Sequence, residues 1–139
     1  MTDAELSTMI PLIRKVDSLQ LYVPDLDLGL AFYRDKLGHE VVWRTEDAAG
    51  LSMPETDAEL VLQTSRKDVE TDLVVESADV AGAYFEASGG SIVVPPFDIQ
   101  VGRCVVVQDP WGNQLVLLDT SKGLLVADAD GNVVGTKKV

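Results

Sequence analysis

The fold is decided by residues 16–38, which read VDSLQLYVPDLDLGLAFYRDKLG. In the first eight letters, apolar residues alternate with polar or aromatic ones, and this period of two predicts a β-strand with two differently used faces. Asp25 is suited to cap a helix, and Gly38 is suited to end it because glycine tolerates positive φ. The apolar stripe of that helix consists of Leu26, Leu30, Tyr33 and Leu37.

Three further strands are predicted after this helix, and the same order of elements then restarts. The first three strands read EVVWR (40–44), AGLSM (49–53) and ELVLQ (59–63). The second set comprises the strand TDLVVES (71–77), a helix capped by Asp79 with Val80, Ala83, Tyr84 and Ala87 on its stripe, and the strands SIVV (91–94), RCVVVQ (103–108) and QLVLL (114–118). Pro95 and Pro96 are expected to end SIVV, and DPWGN (109–113) predicts a tight turn before the last strand.

Two matching pairs of segments indicate an internal repeat. ELVLQTS at 59–65 matches QLVLLDTS at 114–121 apart from one inserted residue, and VPDLD at 23–27 matches SADVA at 77–81 in pattern. The second copy follows the first by about 54 to 55 residues in both comparisons. Two copies of one supersecondary unit explain this agreement better than chance similarity does.

The repeat predicts an α+β fold of two βαβββ modules, residues 16–67 and 71–122, within one structural domain. Residues 1–15 are predicted to form an N-terminal arm or a short helix. Residues 123–139 contain LLVAD and NVVGT on either side of a glycine-containing turn, which predicts a C-terminal β-hairpin or tail. This tail could cover a sheet edge or reach a second subunit.

Composition limits the class of partner and the compartment. The 139 residues include 11 Lys and Arg against 23 Asp and Glu, and the net charge of −12 would repel nucleic acid. The sequence has no apolar run of the ~18 residues that a membrane span needs, and no signal-peptide pattern. Cys104 is the single cysteine, which favours a reducing, cytoplasmic compartment. The acidic excess either serves solubility or attracts a cationic ligand, and charge alone does not decide between them.

Three segments together resemble the vicinal oxygen chelate superfamily, which groups glyoxalase I, bleomycin-resistance proteins and extradiol dioxygenases. They are VPDLDLGLAFYRDKLG (23–38), TDLVVESADV (71–80) and GRCVVVQDPWGNQLVLLD (102–119). The resemblance implies paired βαβββ modules, each curling an open mixed sheet around half of a groove. It also implies a homodimer, in which modules of different subunits could complete each groove.

The resemblance also implies where a divalent metal would bind. In the metal-dependent members, the ligand of each first strand lies seven residues before the Asp that caps the helix, and the last strands supply the others. In this chain the four positions are Ser18, Val61, Asp72 and Val116. Valine has no donor atom and neutral serine is a poor ligand, so the sequence predicts neither a metal nor another cofactor. The alternative is a divalent metal at a shifted site that uses Gln20, Glu59, Asp72 or Glu76.

Strand parity predicts which side chains face the groove. The residues expected to bind a ligand are Ser18, Gln20, Tyr22, Trp43, Glu59, Val61, Asp72, Arg103 and Val116. The same parity adds Gln63, Val74, Glu76, Gln114 and Leu118. Arg103 is expected to pair with a ligand anion, or with Asp72 or Glu59. The opposite parity should pack under the helices: Leu19, Leu21, Leu60, Leu62, Leu73, Val75, Leu115 and Leu117.

These predictions favour a binding protein over an enzyme. The first hypothesis is a metal-free protein of the bleomycin-resistance kind, which confers antibiotic resistance or sequesters a metabolite by binding a small, cationic or aromatic molecule. The alternative is a metal-dependent lyase, isomerase or dioxygenase of the same superfamily. A third is an interaction module whose groove is filled by its own side chains. No catalytic residue is predicted, because the only histidine, His39, lies away from the inferred ligand positions.

Overall fold

The computed structural model describes residues 11–138 of the chain. The predicted N-terminal arm or helix at 1–15 therefore lies largely outside the described residues. Within them the elements are β1 (Lys15–Tyr22), α1 (Leu26–Leu30) with a π-helical continuation (Ala31–Lys36), β2 (Val41–Arg44), β3 (Ala48–Met53), β4 (Thr56–Gln63), β5 (Glu70–Val74), α2 (Ala78–Ala87), β6 (Ser91–Ile99), β7 (Gly102–Gln108), β8 (Gln114–Leu118), β9 (Leu124–Ala127) and β10 (Val133–Lys137). None of the helices within 11–138 is long and apolar enough to cross a membrane.

The first eight strands form one mixed sheet in the order β2-β3-β4-β1-β5-β8-β7-β6. Counted outward from the centre, each half repeats the same arrangement, with its first strand parallel to its fourth. The halves meet where β1 pairs antiparallel with β5. The α+β fold class and the paired βαβββ modules predicted from the sequence are confirmed.

The predicted parity of the strands is also confirmed, because the leucine face lies under the helices. Leu21, Leu60 and Leu62 belong to or pack against the cluster of Leu26 and Leu30 in the first half. The corresponding residues of the second half, which pack with Ala78 and Ala81 of α2, are Leu73, Val75, Leu115 and Leu117. Of the predicted set, Leu19 alone lies in neither cluster. The polar face of the sheet is thereby left free of helices.

Helix α1 begins at the predicted cap, but the last residue of its predicted apolar stripe is not buried. The Asp25 side chain accepts a hydrogen bond from the backbone N–H of Leu28 at 2.9 Å, and Gly38 has φ of 87°. Beyond Leu30 the helix widens into π-helical turns, so residues no longer return to the same face after every 3.6 positions. Leu37 consequently leaves the core, and its side chain is exposed.

The prediction for α2 was wrong in both its cap and its buried face. Ser77, not Asp79, is the N-cap and accepts from the N–H of Val80 at 3.2 Å. Val80 and Tyr84 are 66% and 55% exposed, whereas the buried residues are Ala78, Ala81 and Gly82. Small residues allow close approach to the sheet: a Cβ on Gly82 would lie 3.1 Å from Cγ2 of Val105. Fit to the sheet, rather than hydrophobicity, decides which face of α2 is buried.

The prolines do not end the strand that begins at Ser91. β6 continues through Pro95 and Pro96 to Ile99, with irregular pairing to β7 between Val94 and Phe97. The sheet edge tolerates both prolines, because an edge strand need not donate every backbone N–H to a neighbour.

The two late hairpins use the same five-residue turn. In DPWGN, Asp109 accepts hydrogen bonds from the N–H groups of Trp111 and Asn113, each at 2.9 Å. In DADGN (128–132), Asp128 accepts from the N–H groups two and four residues later at the same distance. Each turn has a glycine at its fourth position with positive φ. Across the second of these turns, β9 and β10 pair antiparallel and form a C-terminal hairpin.

This C-terminal hairpin spans the two halves of its own chain. At its base, the hydroxyl of Thr136 donates to the carbonyl of Gln100 at 3.5 Å. At its tip, the carbonyl of Gly131 accepts from the backbone N–H of Arg44 on β2 at 2.7 Å, and Asn132 bridges to the same residue. The hairpin thus runs from the second half of the sheet to the edge strand of the first.

Asp119 joins the end of β8 to the start of α2 and was not among the residues predicted to matter. Its buried carboxylate accepts from the N–H groups of Ala78 at 2.8 Å and Arg103 at 2.9 Å, and from the hydroxyl of Ser121 at 2.6 Å. Burial alone would raise the pKa of Asp119, but these hydrogen bonds hold it below its ordinary value.

We expect Asp119→Asn to lower the free energy of unfolding by about 2 kcal/mol, because an amide NH2 would face backbone donors. Denaturant unfolding at pH 7 measures the change. Asp130→Asn, in the exposed turn of the C-terminal hairpin, removes the same charge and should change stability by less than about 0.5 kcal/mol. Equal losses in the two variants would contradict the role given to Asp119.

Candidate functional site

The seam between β1 and β5 brings the polar positions of three strands together. Ser18 on β1 lies beside Glu59 on β4 and beside Asp72 on β5. Gln20, two residues along the same face of β1, lies beside Val61. The helix-free face of the sheet therefore carries its polar side chains at the centre of the molecule.

Asp72 is the most unusual of these residues, because its carboxyl group is buried and only half satisfied. Its side chain is 5% exposed, and Oδ2 accepts from Nε2 of Gln20 at 2.8 Å and from the Ser18 hydroxyl at 3.4 Å. Oδ1 has no hydrogen-bond partner among residues 11–138. Burial, followed by the neighbouring carboxyl groups of Glu70 and Asp17, raises the pKa of Asp72 to about 8.

The Gln20 amide is held in one orientation between a donor and an acceptor. The guanidinium of Arg66 donates to Oε1 of Gln20, while the amide nitrogen donates to Asp72. Arg66 also forms an ion pair with Glu70 at 3.5 Å. These contacts link the loop after β4 to the buried carboxyl group, so the position of Gln20 is set from both sides.

Trp43 and Glu59 form a second polar contact on the same face. The indole Nε1 donates to Oε1 of Glu59 at 2.7 Å. The ring lies across Gly50 of β3: a Cβ at that position would come within 2.0 Å of Nε1, so only glycine leaves room for it. Burial raises the pKa of Glu59, despite the hydrogen bond from Trp43, and Asp17 adds to the rise.

Asp17 also reaches this face, although strict alternation places it with the leucines. The register of β1 against β5 shifts between Val16 and Ser18, and this irregularity turns Asp17 toward the polar side. Burial raises the pKa of Asp17, and the charge of Lys15 only partly opposes the effect. Asp17 was not predicted from the sequence, because nothing in the neighbouring residues indicates a β-bulge.

These side chains line a cavity of about 430 Å³, which we call the central cleft. Its lining residues are Lys15, Asp17, Ser18 and Gln20 of β1, Val42 and Trp43 of β2, Asp57, Glu59 and Val61 of β4, Asp72 of β5, Val101, Thr120, and Leu124, Leu125 and Ala127 of β9. The C-terminal hairpin therefore forms one wall of the cleft, and the seam forms another. The cleft contains Asp17, Glu59 and Asp72, the three carboxyl groups whose pKa burial raises.

Most of the predicted groove residues meet in this cleft, while two lie beside it. Those brought together are Ser18, Gln20, Trp43, Glu59, Val61 and Asp72. Tyr22 continues the same face of β1 but does not line the cavity. Val116 of β8 lies next to Asp72 and lines instead a larger cavity of about 840 Å³, near Arg66 and Glu70. We place the site in the smaller cavity because the buried carboxyl groups line it.

Two predicted groove residues lie elsewhere. The guanidinium of Arg103 pairs with Asp79 at 3.0 Å and with Asp98 at 3.4 Å, so the expected pairing with Asp72 or Glu59 was wrong. The cause is alternation along β7, which puts Arg103 on the face whose valines pack with α2. Glu76 follows the end of β5, and its exposed carboxylate pairs with Arg14 at 2.8 Å.

The residues at the family's metal positions do not fit a metal ion. Asp72 is the only anionic donor among Ser18, Val61, Asp72 and Val116, and its raised pKa disfavours the charged form. The two valines have no donor atom, whereas zinc takes about four ligands and hard ions prefer several oxygens. In the described part of the chain, no three His, Cys, Asp or Glu side chains are grouped so that they could hold a metal ion.

Comparison with known proteins identifies a family to which most of the chain is similar. The sequence model of the Glyoxalase/Bleomycin resistance protein/Dioxygenase superfamily matches residues 15–117. Among curated proteins, none matches the sequence.

Solved structures share the fold at low sequence identity. Methylmalonyl-CoA epimerase from Mycobacterium tuberculosis superposes with a TM-score of 0.67 at 18% identity, covering 82% of this chain and 94% of that one. An NAD-dependent benzaldehyde dehydrogenase from Legionella pneumophila gives 0.60 at 20% identity, with coverage of 74% and 97%. An extradiol ring-cleaving dioxygenase from B. fuscum gives 0.59 at 24% identity, with coverage of 79% and only 33%. Likeness at this level shows the fold alone.

The raised pKa of Asp72 predicts how stability depends on pH. With a pKa of about 8 in the folded protein and 3.8 ordinarily, unfolding releases a proton between about pH 4 and pH 8. The contribution of Asp72 to stability therefore falls as the pH rises through that range. Asp72→Asn removes this fall. The free energy of unfolding of the variant minus that of the wild type should therefore increase by at least ~1.4 kcal/mol between pH 4.5 and pH 8.

Denaturant unfolding at the two pH values measures this double difference. Glu55→Gln, an exposed carboxyl in the turn before β4, provides the control for the loss of one charge and should show no comparable rise. If Asp72→Asn and Glu55→Gln followed parallel pH profiles, Asp72 would titrate as an ordinary carboxyl group.

Proposed function

The chain belongs to the Glyoxalase/Bleomycin resistance protein/Dioxygenase superfamily, and we propose that it binds a small molecule in the central cleft without a metal ion. In this proposal, the protein sequesters a drug or a metabolite, and the description of its superfamily includes bleomycin-resistance proteins. The cleft is built within one chain, and a homodimer would then carry two of them.

The observation that supports this proposal best is the unpartnered Oδ1 of Asp72. A buried polar atom without a hydrogen bond costs about 1–3 kcal/mol, and a ligand that donates to it recovers that cost. Unsatisfied buried groups are few in folded proteins, and a binding site gains specificity from one. The volume of about 430 Å³ falls within the range of small-molecule sites, which counts against a groove filled by its own side chains.

The carboxyl groups of the cleft favour a ligand with positive charge or several donors. Asp17, Glu59 and Asp72 lie together, and the cation that lines the same cavity, Lys15, already pairs with Asp57 at 2.7 Å. The net charge of −12 would also attract a cation from a distance. This is the class of ligand expected of a protein that sequesters a cationic drug.

The second candidate is a metal-dependent lyase, isomerase or dioxygenase, since an epimerase and dioxygenases share the fold. Such an enzyme uses an ion to stabilise negative charge on the substrate oxygens. The donors at Ser18, Val61, Asp72 and Val116 do not fit that ion, so this candidate requires another set of ligands.

Binding by chelator-treated protein tests the proposal. We expect at least one member of a panel of cationic and aromatic compounds to bind saturably in calorimetry, with the same affinity in the presence and absence of EDTA. Glu59→Gln should weaken a cationic hit about tenfold, equivalent to ~1.4 kcal/mol, while Glu55→Gln should leave it unchanged. Binding or turnover that appears only after Ni²⁺, Zn²⁺, Mn²⁺ or Fe²⁺ is added would favour the enzyme instead.

A further inference from the structure

The C-terminal hairpin supplies an apolar wall to a cleft whose opposite side is acidic. Leu124, Leu125 and Ala127 of β9 line the cavity, although they lie beyond the residues that match the family. Leu125 and Ala127 share one face of the strand by alternation, and Leu125 is half-buried. A cover that only shielded backbone groups from water would not need a leucine on its inner face.

Trp43 extends this apolar surface on the side of β2. Its ring is fixed over Gly50, and its one donor is occupied by Glu59, so the ring offers only its apolar surface to a ligand. Val42, its neighbour, lines the same cavity. The cleft therefore has two chemically different ends, with hydrocarbon between β2 and β9 and carboxyl groups at the β1–β5 seam.

We propose that the C-terminal hairpin is part of the ligand site, and that the site takes an amphipathic organic cation. Its charged nitrogen lies among Asp17, Glu59 and Asp72, and its hydrocarbon portion lies between Trp43 and Leu125. The inference rests on the proposed function and names the class of ligand for that site.

The acidic end is more than a cluster of surface carboxylates. Asp72 is only 5% exposed and lines the cavity. Its Oδ1 has no hydrogen-bond partner among the described residues. Burial is the largest cause that raises the pKa of each of the three carboxyl groups in the cleft, and neighbouring carboxyl groups add to the rise: Asp57 at Asp17, Asp17 at Glu59, and Glu70 followed by Asp17 at Asp72. A positive charge placed among them favours the charged form of each group and so opposes these effects.

A series of n-alkylamines from ethylamine to hexylamine, paired with the matching alkanols, tests both ends of the site. Trp111→Phe makes Trp43 the only tryptophan and serves as the background, since Trp111 is 83% exposed in its turn. Trp43 fluorescence then reports binding. We expect amines to bind at least tenfold more tightly than alkanols of equal length, and affinity to rise up to about fourfold per added methylene.

Two variants separate the ends of the site. Leu125→Asn should flatten the dependence on chain length but keep the preference for amines, whereas Glu59→Gln should reduce that preference and keep the slope. Val134→Asn makes a similar apolar-to-amide change at an exposed position of the same hairpin and should behave as the background does. Thermal unfolding of each variant checks that the fold is retained.

A slope unchanged in Leu125→Asn, or alkanols that bind as tightly as amines, would overturn this inference while the proposed function stood. If no alkylamine bound but a compound of the broader panel did, the inference alone would again fail. If nothing bound in either experiment, both proposals would fail together.

Discussion

The antiparallel pairing of β1 with β5 is the constraint on which the rest of the structure depends. It joins the two halves into one sheet, and it sets Ser18 beside Asp72 at the centre of that sheet. Because the helices cover the opposite face, the polar side chains of the seam have no helix to pack against. A buried carboxyl group at the floor of an open cleft follows directly from this pairing.

Regular alternation made much of this predictable. In β1, β4 and β5 the period of two separates a leucine face from a polar face, and so the sequence alone indicated that Ser18, Glu59 and Asp72 share one side. Prediction failed where the backbone departs from the ideal period. A bulge turns Asp17 into the cleft, and π-helical turns move Leu37 out of the core. In α2, close packing against the sheet buries the small residues and leaves Val80 exposed.

The contribution of the C-terminal hairpin to the central cleft could not be predicted from its own sequence. DADGN predicts a turn, since Asp128 and Gly131 satisfy its backbone as their counterparts do in DPWGN. Which surface the hairpin covers is decided by a contact distant in sequence, between Arg44 and Gly131. The same holds for Arg103, whose partners Asp79 and Asp98 are fixed by the packing of other elements. The family fold therefore supplies the seam, while a segment outside the family match completes the cleft.

A crystal structure with hexylamine, from protein purified without chelator and with anomalous data for transition metals, would show directly what the central cleft binds. We expect the amine nitrogen at hydrogen-bond distance from Glu59 or Asp72, the alkyl chain against Leu125, and no ion coordinated at the seam. A divalent cation held by side chains in the central cleft, or hexylamine bound only elsewhere, would contradict this expectation.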